Sequence, residues 1–134
     1  MNTLKTRLLL ALIVLVLASL ACGGSFSTAN IVNAYTTANP DGGLPTTVFA
    51  QDQVFYAVVQ LANAPEDTAV KAVWTAVSIE GYDPNTYLDE TVLTSGDGTL
   101  TFEMSNANLW PIGRYKVDLY LNDALTQTIE FDVR

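Results

Sequence analysis

Residues 114–133 read RYKVDLYLNDALTQTIEFDV. In the first half, Tyr115, Val117, Leu119 and Leu121 alternate with Arg114, Lys116, Asp118 and Tyr120. Successive side chains of a strand point to opposite faces, so this alternation marks a strand with one buried face. The second half repeats the pattern, with Leu125, Gln127, Ile129, Phe131 and Val133 set against Thr126, Thr128, Glu130 and Asp132. Between them sit Asn122 and Asp123, residue types that tolerate left-handed backbone and fit the tight turn of a hairpin. The stretch therefore predicts an antiparallel hairpin that turns Tyr115 through Leu121 and Leu125 through Val133 toward a core.

The same period recurs upstream. Thr99–Ser105 alternates Leu100, Phe102 and Met104 with Thr101 and Glu103, just after the turn pair Asp97-Gly98. Val70–Ser78 puts Val70, Ala72, Trp74 and Ala76 on one face, and Val54–Leu61 does so with Phe55, Ala57, Val59 and Leu61. Ile31–Thr36 and Tyr87–Thr94 are weaker strands. Pro40-Asp41-Gly42-Gly43, Ala64-Pro65 and Asp83-Pro84 break the chain between runs. The interval Thr37–Gln53 is long at ~17 residues, where loops beyond ~12–15 residues are functional, disordered or hide an element. Thr46–Ala50 is the candidate hidden strand, with Phe49 docked into the core. No helical period and no internal repeat follows residue 30. The fold expected is all-β, a seven-stranded antiparallel sandwich.

Composition narrows the chemistry. The chain has 134 residues, one cysteine and no histidine, so one domain is expected. An intrachain disulfide, a Cys-His pair and a Ser-His-Asp triad all lack residues. Beyond the segment holding Lys5 and Arg7, four cations face all 14 acids, a balance near −10 (4 minus 14). Such a surface opposes nucleic acid as a partner, since phosphate binding needs a positive face.

The first residues have another character. Lys5 and Arg7 precede the apolar run Leu8–Ala21, shorter than the ~20 residues of a spanning helix. A basic start, a short apolar middle and small residues at the end make a secretory signal. The expected division is a signal segment at 1–21, a tether at 22–30 and a sandwich at 31–134. Ser19-Leu20-Ala21-Cys22 resembles the lipobox of bacterial lipoproteins. That resemblance implies diacylglyceryl attachment at Cys22, cleavage before it, and an extracytoplasmic protein lipid-anchored to the cell membrane or outer membrane. An ordinary signal with an incidental cysteine and an uncleaved anchor are the other two readings. Gly23–Asn30 has linker composition.

Trp74 lies midway along the third expected strand, and Trp110-Pro111-Ile112-Gly113-Arg114-Tyr115 leads into the sixth. This arrangement resembles the immunoglobulin or fibronectin type III sandwich, in which a tryptophan packs the core and a tyrosine-corner hydroxyl bonds back to nearby backbone. The resemblance implies that Trp74 and Tyr115 are core residues. It further implies an adhesion or binding module with an envelope protein or glycan as partner, or a structural accessory subunit of an envelope complex.

Three surfaces are candidates for function. Tyr82 and Trp110 would form an aromatic patch at the outward pole, the other reading being that Trp110 plugs the bottom of the core and Tyr82 decorates a turn. Val73, Val77 and Tyr120, with Lys116, would face out from one sheet as a docking face. Glu66, Asp67, Asp97 and Asp123 would crowd carboxylates at the tether pole, a place for calcium in principle, although their spacing fits no known loop and the surface reads as metal-free. No cofactor motif and no catalytic set is read, so the chain is expected to be no enzyme.

Overall fold

The computed structural model describes residues 28–134; the signal segment 1–21 and Cys22 lie outside the described residues. Eight strands follow in order: β1 (Asn30–Thr37), β2 (Val48–Phe49), β3 (Phe55–Ala62), β4 (Thr68–Ile79), β5 (Thr86–Ser95), β6 (Gly98–Met104), β7 (Gly113–Leu121) and β8 (Ala124–Val133). They form a three-stranded sheet, β1-β3-β6, packed on a five-stranded sheet, β2-β8-β7-β4-β5. There is no helix among the described residues.

The expectation of seven antiparallel strands needs two corrections. An eighth strand exists, falling within the candidate Thr46–Ala50 with Phe49 docked as expected, and its pairing is parallel: Val48 lies against Asp132 and Phe49 against Val133. The cause is a change of sheet. After β1 the chain leaves the three-stranded sheet, held by the Thr46 N–H to Thr36 carbonyl bond at 2.8 Å and the Thr36 hydroxyl to Thr46 carbonyl bond at 2.6 Å. It then runs beside β8, where the Asp132 and Arg134 N–H groups donate to the Thr47 and Phe49 carbonyls at 2.8 and 3.0 Å. Two residues suffice to bury the Phe49 ring, which is 1% exposed.

The core is what the alternation demanded. Phe55, Ala57, Val59 and Leu61 of β3 face Val70, Ala72, Trp74 and Ala76 of β4, and all are buried. Tyr115, Val117 and Leu119 of β7 and Phe131 and Val133 of β8 complete it. Two departures have local causes. β8 carries one extra residue where Leu119 pairs with Gln127 but Tyr120 pairs with Leu125. That bulge shifts side chains by one position and turns Leu125 out beside Tyr120, 57% exposed, where simple alternation had placed it inside. Val58, on the outer side of β3, is nevertheless buried. The β1–β2 loop folds over it, pinned by the Tyr35 hydroxyl donating to the Gly42 carbonyl at 2.9 Å.

Turn chemistry fixes the registers. Asn122 and Asp123 both take positive φ, 47° and 68°, the conformation of the two-residue turn that suits the twist of a hairpin. Gly113, opening β7, has a φ of 151°. A Cβ there would sit 2.3 Å from the Ser78 carbonyl oxygen, so the β4–β7 approach at this pole requires glycine on both counts. Gly113→Ala should therefore lower unfolding stability by about 1–3 kcal/mol, read as a shift of the urea midpoint. An unchanged midpoint would show that the approach of β7 to Ser78 is looser than described.

Candidate functional site

The strand directions separate two poles. Asn30 pairs with Ala62 at the end of β3, and the Thr28 hydroxyl donates to the Asn63 carbonyl at 2.8 Å. The chain therefore joins the sandwich at the pole bearing the β3–β4, β5–β6 and β7–β8 turns. Glu66, Asp67, Asp97 and Asp123 belong to these turns, but they do not converge. Among the described residues, no three acidic, histidine or cysteine side chains gather where they could hold a metal. Asp97 is committed locally, its Oδ1 accepting the Ala64 N–H at 2.7 Å, and Asp123 occupies the left-handed corner of the hairpin. Turn duty separates these carboxylates, so the expected crowding is absent.

The opposite pole is built on the Trp110–Tyr115 segment. Its anchor is reciprocal. The Trp110 N–H donates to the Gln51 carbonyl at 2.8 Å, and the Gln51 side-chain amide donates to the Trp110 carbonyl at 2.9 Å. The indole Nε1–H donates to the Gln53 carbonyl at 3.0 Å. Its ring stacks on Phe55, 4.5 Å between centroids. Trp110 is thus 5% exposed and closes the end of the core. Of the two readings of Trp110 this is the plug and not the outward patch, for a ring with its N–H satisfied and its face stacked has no reason to seek solvent. Five residues on, the Tyr115 hydroxyl donates to the Pro111 carbonyl at 2.6 Å, and its ring stacks on Phe131 at 5.7 Å. Burial, with a lesser contribution from Tyr82, pushes the Tyr115 phenol up to about 12. It stays protonated at neutral pH and acts as a fixed donor.

Tyr82 is exposed at this pole, at 61%. It overhangs a cleft of about 250 Å³ at the open seam between β5 and β6. Ile79, Leu88 and Met104 form the walls, and the edges of Trp110 and Tyr115 lie at the floor. The two aromatics singled out from the sequence therefore do meet, one as rim and the other as floor. Among the described residues no charged side chain lines the cleft, in a chain with a net charge of −8. Its volume lies below the ~300–1,000 Å³ of drug-sized ligand pockets, and suits one ring or one side chain.

Val73, Val77 and Tyr120 lie on the outer side of the five-stranded sheet and are half-buried. Lys71 Nζ stands 4.6 Å over the Tyr120 ring. Lys116 Nζ is 3.1 Å from Asp118 Oδ2, and the other oxygen of Asp118 accepts the Thr128 hydroxyl at 2.5 Å. Arg114 and Arg134 both approach Asp132 at 3.5 Å. All four cations of the described residues thus lie on this one face, largely paired there. Tyr87 donates to Glu90 Oε1 at 3.2 Å; desolvation, and then the Glu90 charge, raise its pKa. Sequence reasoning missed Val92 and Leu125, exposed at 55% and 57% at the margins of the same face. Only the bulge reveals Leu125, and the edge position of β5 reveals Val92.

The sequence matches no protein-family model and no curated protein. Solved structures do match. An immunoglobulin-like protein from Pseudomonas aeruginosa is similar over 83% of this chain and 100% of its own, with a TM-score of 0.53 and 16% identity. An alkylpurine DNA glycosylase from Pseudomonas fluorescens, solved bound to DNA, is similar over 81% of this chain but 31% of its own, with a TM-score of 0.53 and 18% identity. A β-glucosidase of intestinal bacteria involved in saponin metabolism matches over 84% of this chain and 17% of its own, with a TM-score of 0.53 and 18% identity. In the two enzymes this chain spans well under half of the protein it resembles, and at these identities the likeness shows the fold alone. The chain carries an immunoglobulin-like β-sandwich of two sheets.

Ionisation of Tyr115 supplies a test of the tyrosine lock. The unfolded phenol ionises near pH 10 and the folded one near 12. Between these values the unfolded chain holds fewer protons, so stability falls as pH rises. Tyr115→Phe should cost about 1 kcal/mol at pH 7 through the lost hydrogen bond, and should flatten the decline between pH 10 and 12. Denaturation series at both ends of that window check it; an equally steep decline in the variant would place the cause elsewhere.

Proposed function

We propose that the chain is a cell-envelope lipoprotein, anchored through Cys22, whose sandwich is a binding module for an envelope protein or glycan. The observation that carries this reading is polarity along the body. The chain joins the sandwich beside Asn63, while Tyr82 and its uncharged cleft lie at the far end. The nine residues of β7 set the two poles roughly 30 Å apart at ~3.3 Å per residue. A tether at one pole presents the other outward. The lipobox-like Ser19-Leu20-Ala21-Cys22 supports the anchor. Two or more acyl chains hold a protein stably where one does not. Among the described residues no helix is long and apolar enough to cross a membrane. Binding is favoured over catalysis because the cleft is lined by aliphatic, aromatic and neutral polar groups, with no acid–base pair in it.

A second reading rests on the outer face of the five-stranded sheet. Several of its charges are already paired, Lys116 with Asp118 and Arg114 and Arg134 with Asp132, which lowers the desolvation cost of covering it. Docking there through Val73, Val77 and Tyr120 would make the protein an accessory subunit of an envelope complex.

Two experiments separate these ideas. Mass spectrometry of the membrane-fraction protein should find Cys22 as an acylated N-terminus, and Cys22→Ser should release the chain from that fraction; an intact Met1 on unmodified protein would refute the anchor. In a screen against envelope proteins and glycans, Tyr82→Ala should weaken the ligand at least ~10-fold, as loss of an aromatic anchor does, without moving the thermal midpoint. A ligand indifferent to Tyr82 but lost on Tyr120→Ala would favour the sheet face.

A further inference from the structure

The fold leaves one strand edge open in a way that specifies what can fill it. β2 pairs with β8 only at Asp132 and Val133. The Asp132 and Arg134 N–H groups point toward β2, since they donate to the Thr47 and Phe49 carbonyls. Backbone groups on a strand alternate in direction with a period of two, so the N–H groups of Glu130 and Thr128 point to the same side. On that side no described segment pairs with them. They open onto a groove of about 440 Å³ between β8 and β1, bounded by Ala34–Thr36 on one flank and Pro45–Thr47 at its distal end. The Gln127 side chain bridges it at the proximal end, 3.4 Å from the Ala34 carbonyl.

The other edge strands carry the features that discourage pairing. β1 is bulged between Ile31 and Asn33. β5 bears the exposed acids Asp89 and Glu90, and β6 bears Glu103. Across Gln127–Glu130, β8 has neither proline nor lysine, its bulge lies one step before, toward the hairpin, and its one acid, Glu130, lines the groove itself.

We propose that this groove is a strand-addition site, in which an extended peptide segment of a partner protein continues the line of β2 along β8. Unpaired N–H groups two residues apart call for carbonyls at the ~6.8 Å repeat of an extended backbone, which sugars and lipids lack. Among the described residues that line the groove Glu130 alone is charged, so the segment carries a lysine or arginine opposite it. A second copy of the chain fits less well. Its β8 edge is recessed in the same way, and two recessed edges cannot approach to pairing distance. The site is distinct from the Tyr82 cleft, which lies at the opposite seam of the sandwich, and does not depend on it.

The test uses the intact chain in mild detergent and a set of octapeptides of alternating valine and threonine with one lysine moved through each position. Amide exchange by NMR should show Thr128 and Glu130 exchanging freely without peptide. At millimolar peptide they should slow at least ~10-fold for the favoured lysine position. Methylating the peptide nitrogens along one edge only, on each edge in turn, should abolish the effect for one of the two. Glu130→Gln should weaken the lysine peptide several-fold while sparing its all-neutral counterpart, and its thermal midpoint reports on folding. The proposal is overturned if no peptide protects these amides, or if neither methylated form loses the effect. It also fails if the amides are already protected without peptide: protection that grows with protein concentration would assign the edge to a second copy, and protection independent of concentration would assign it to the chain's own N-terminal segment.

Discussion

Phe55 is the ring on which the sandwich closes. It comes from the three-stranded sheet and inserts among rings supplied by the five-stranded sheet and the β6–β7 loop: Phe49 at 4.9 Å, Trp110 at 4.5 Å, Phe131 at 4.8 Å, Tyr115 at 5.6 Å and Trp74 at 6.4 Å. Burial of each large apolar side chain is worth about 1.5–3 kcal/mol, and paired rings add about 0.5–1.5 kcal/mol beyond their area. No disulfide links the sheets, so this cluster does the work of a clasp. It explains why β2 exists, since two residues of strand are what Phe49 needs to reach Phe55 and Phe131. It also explains why Trp110 turns inward. The Trp74 Nε1–H finds no acceptor among the described residues of the same core.

Much of this was legible in the sequence, because β-sheet faces repeat every two residues and the turns carry residues with distinct backbone demands. The hairpin from Arg114 to Val133 and the inner faces of β3 and β4 follow from that period alone. What escaped were features decided by tertiary contact. The extra residue in β8 that turns Leu125 outward leaves no mark in the alternation. The parallel seating of Val48–Phe49 depends on a chain crossing between sheets. Val58 is buried by a loop that only the Tyr35–Gly42 bond places. Trp110 reads as plug or patch, with the plug favoured, until its three hydrogen bonds to Gln51 and Gln53 decide it.

The candidate site divides in the same way. Tyr82 and Trp110 were recognisable as neighbours at one pole, but their roles as rim and floor needed the β5–β6 seam. The concentration of all four described cations on one sheet face arises from strand order, which a linear sequence does not display. Elsewhere the described surface carries carboxylates without cations, leaving the uncharged Tyr82 cleft and the internally neutralised sheet face as the places least costly to desolvate. Function on an immunoglobulin-like body resides in such patches rather than in the fold.

Closure of the distal pole by the Phe55 cluster is tested most directly by acrylamide quenching of tryptophan fluorescence in the intact chain, with Trp74→Phe used to isolate Trp110. A buried, hydrogen-bonded Trp110 should emit toward the blue and resist quenching in the native state, becoming accessible only on unfolding. Red-shifted native emission, quenched as freely as in urea, would mean that Trp110 stands in solvent and that the two sheets are not clasped as described.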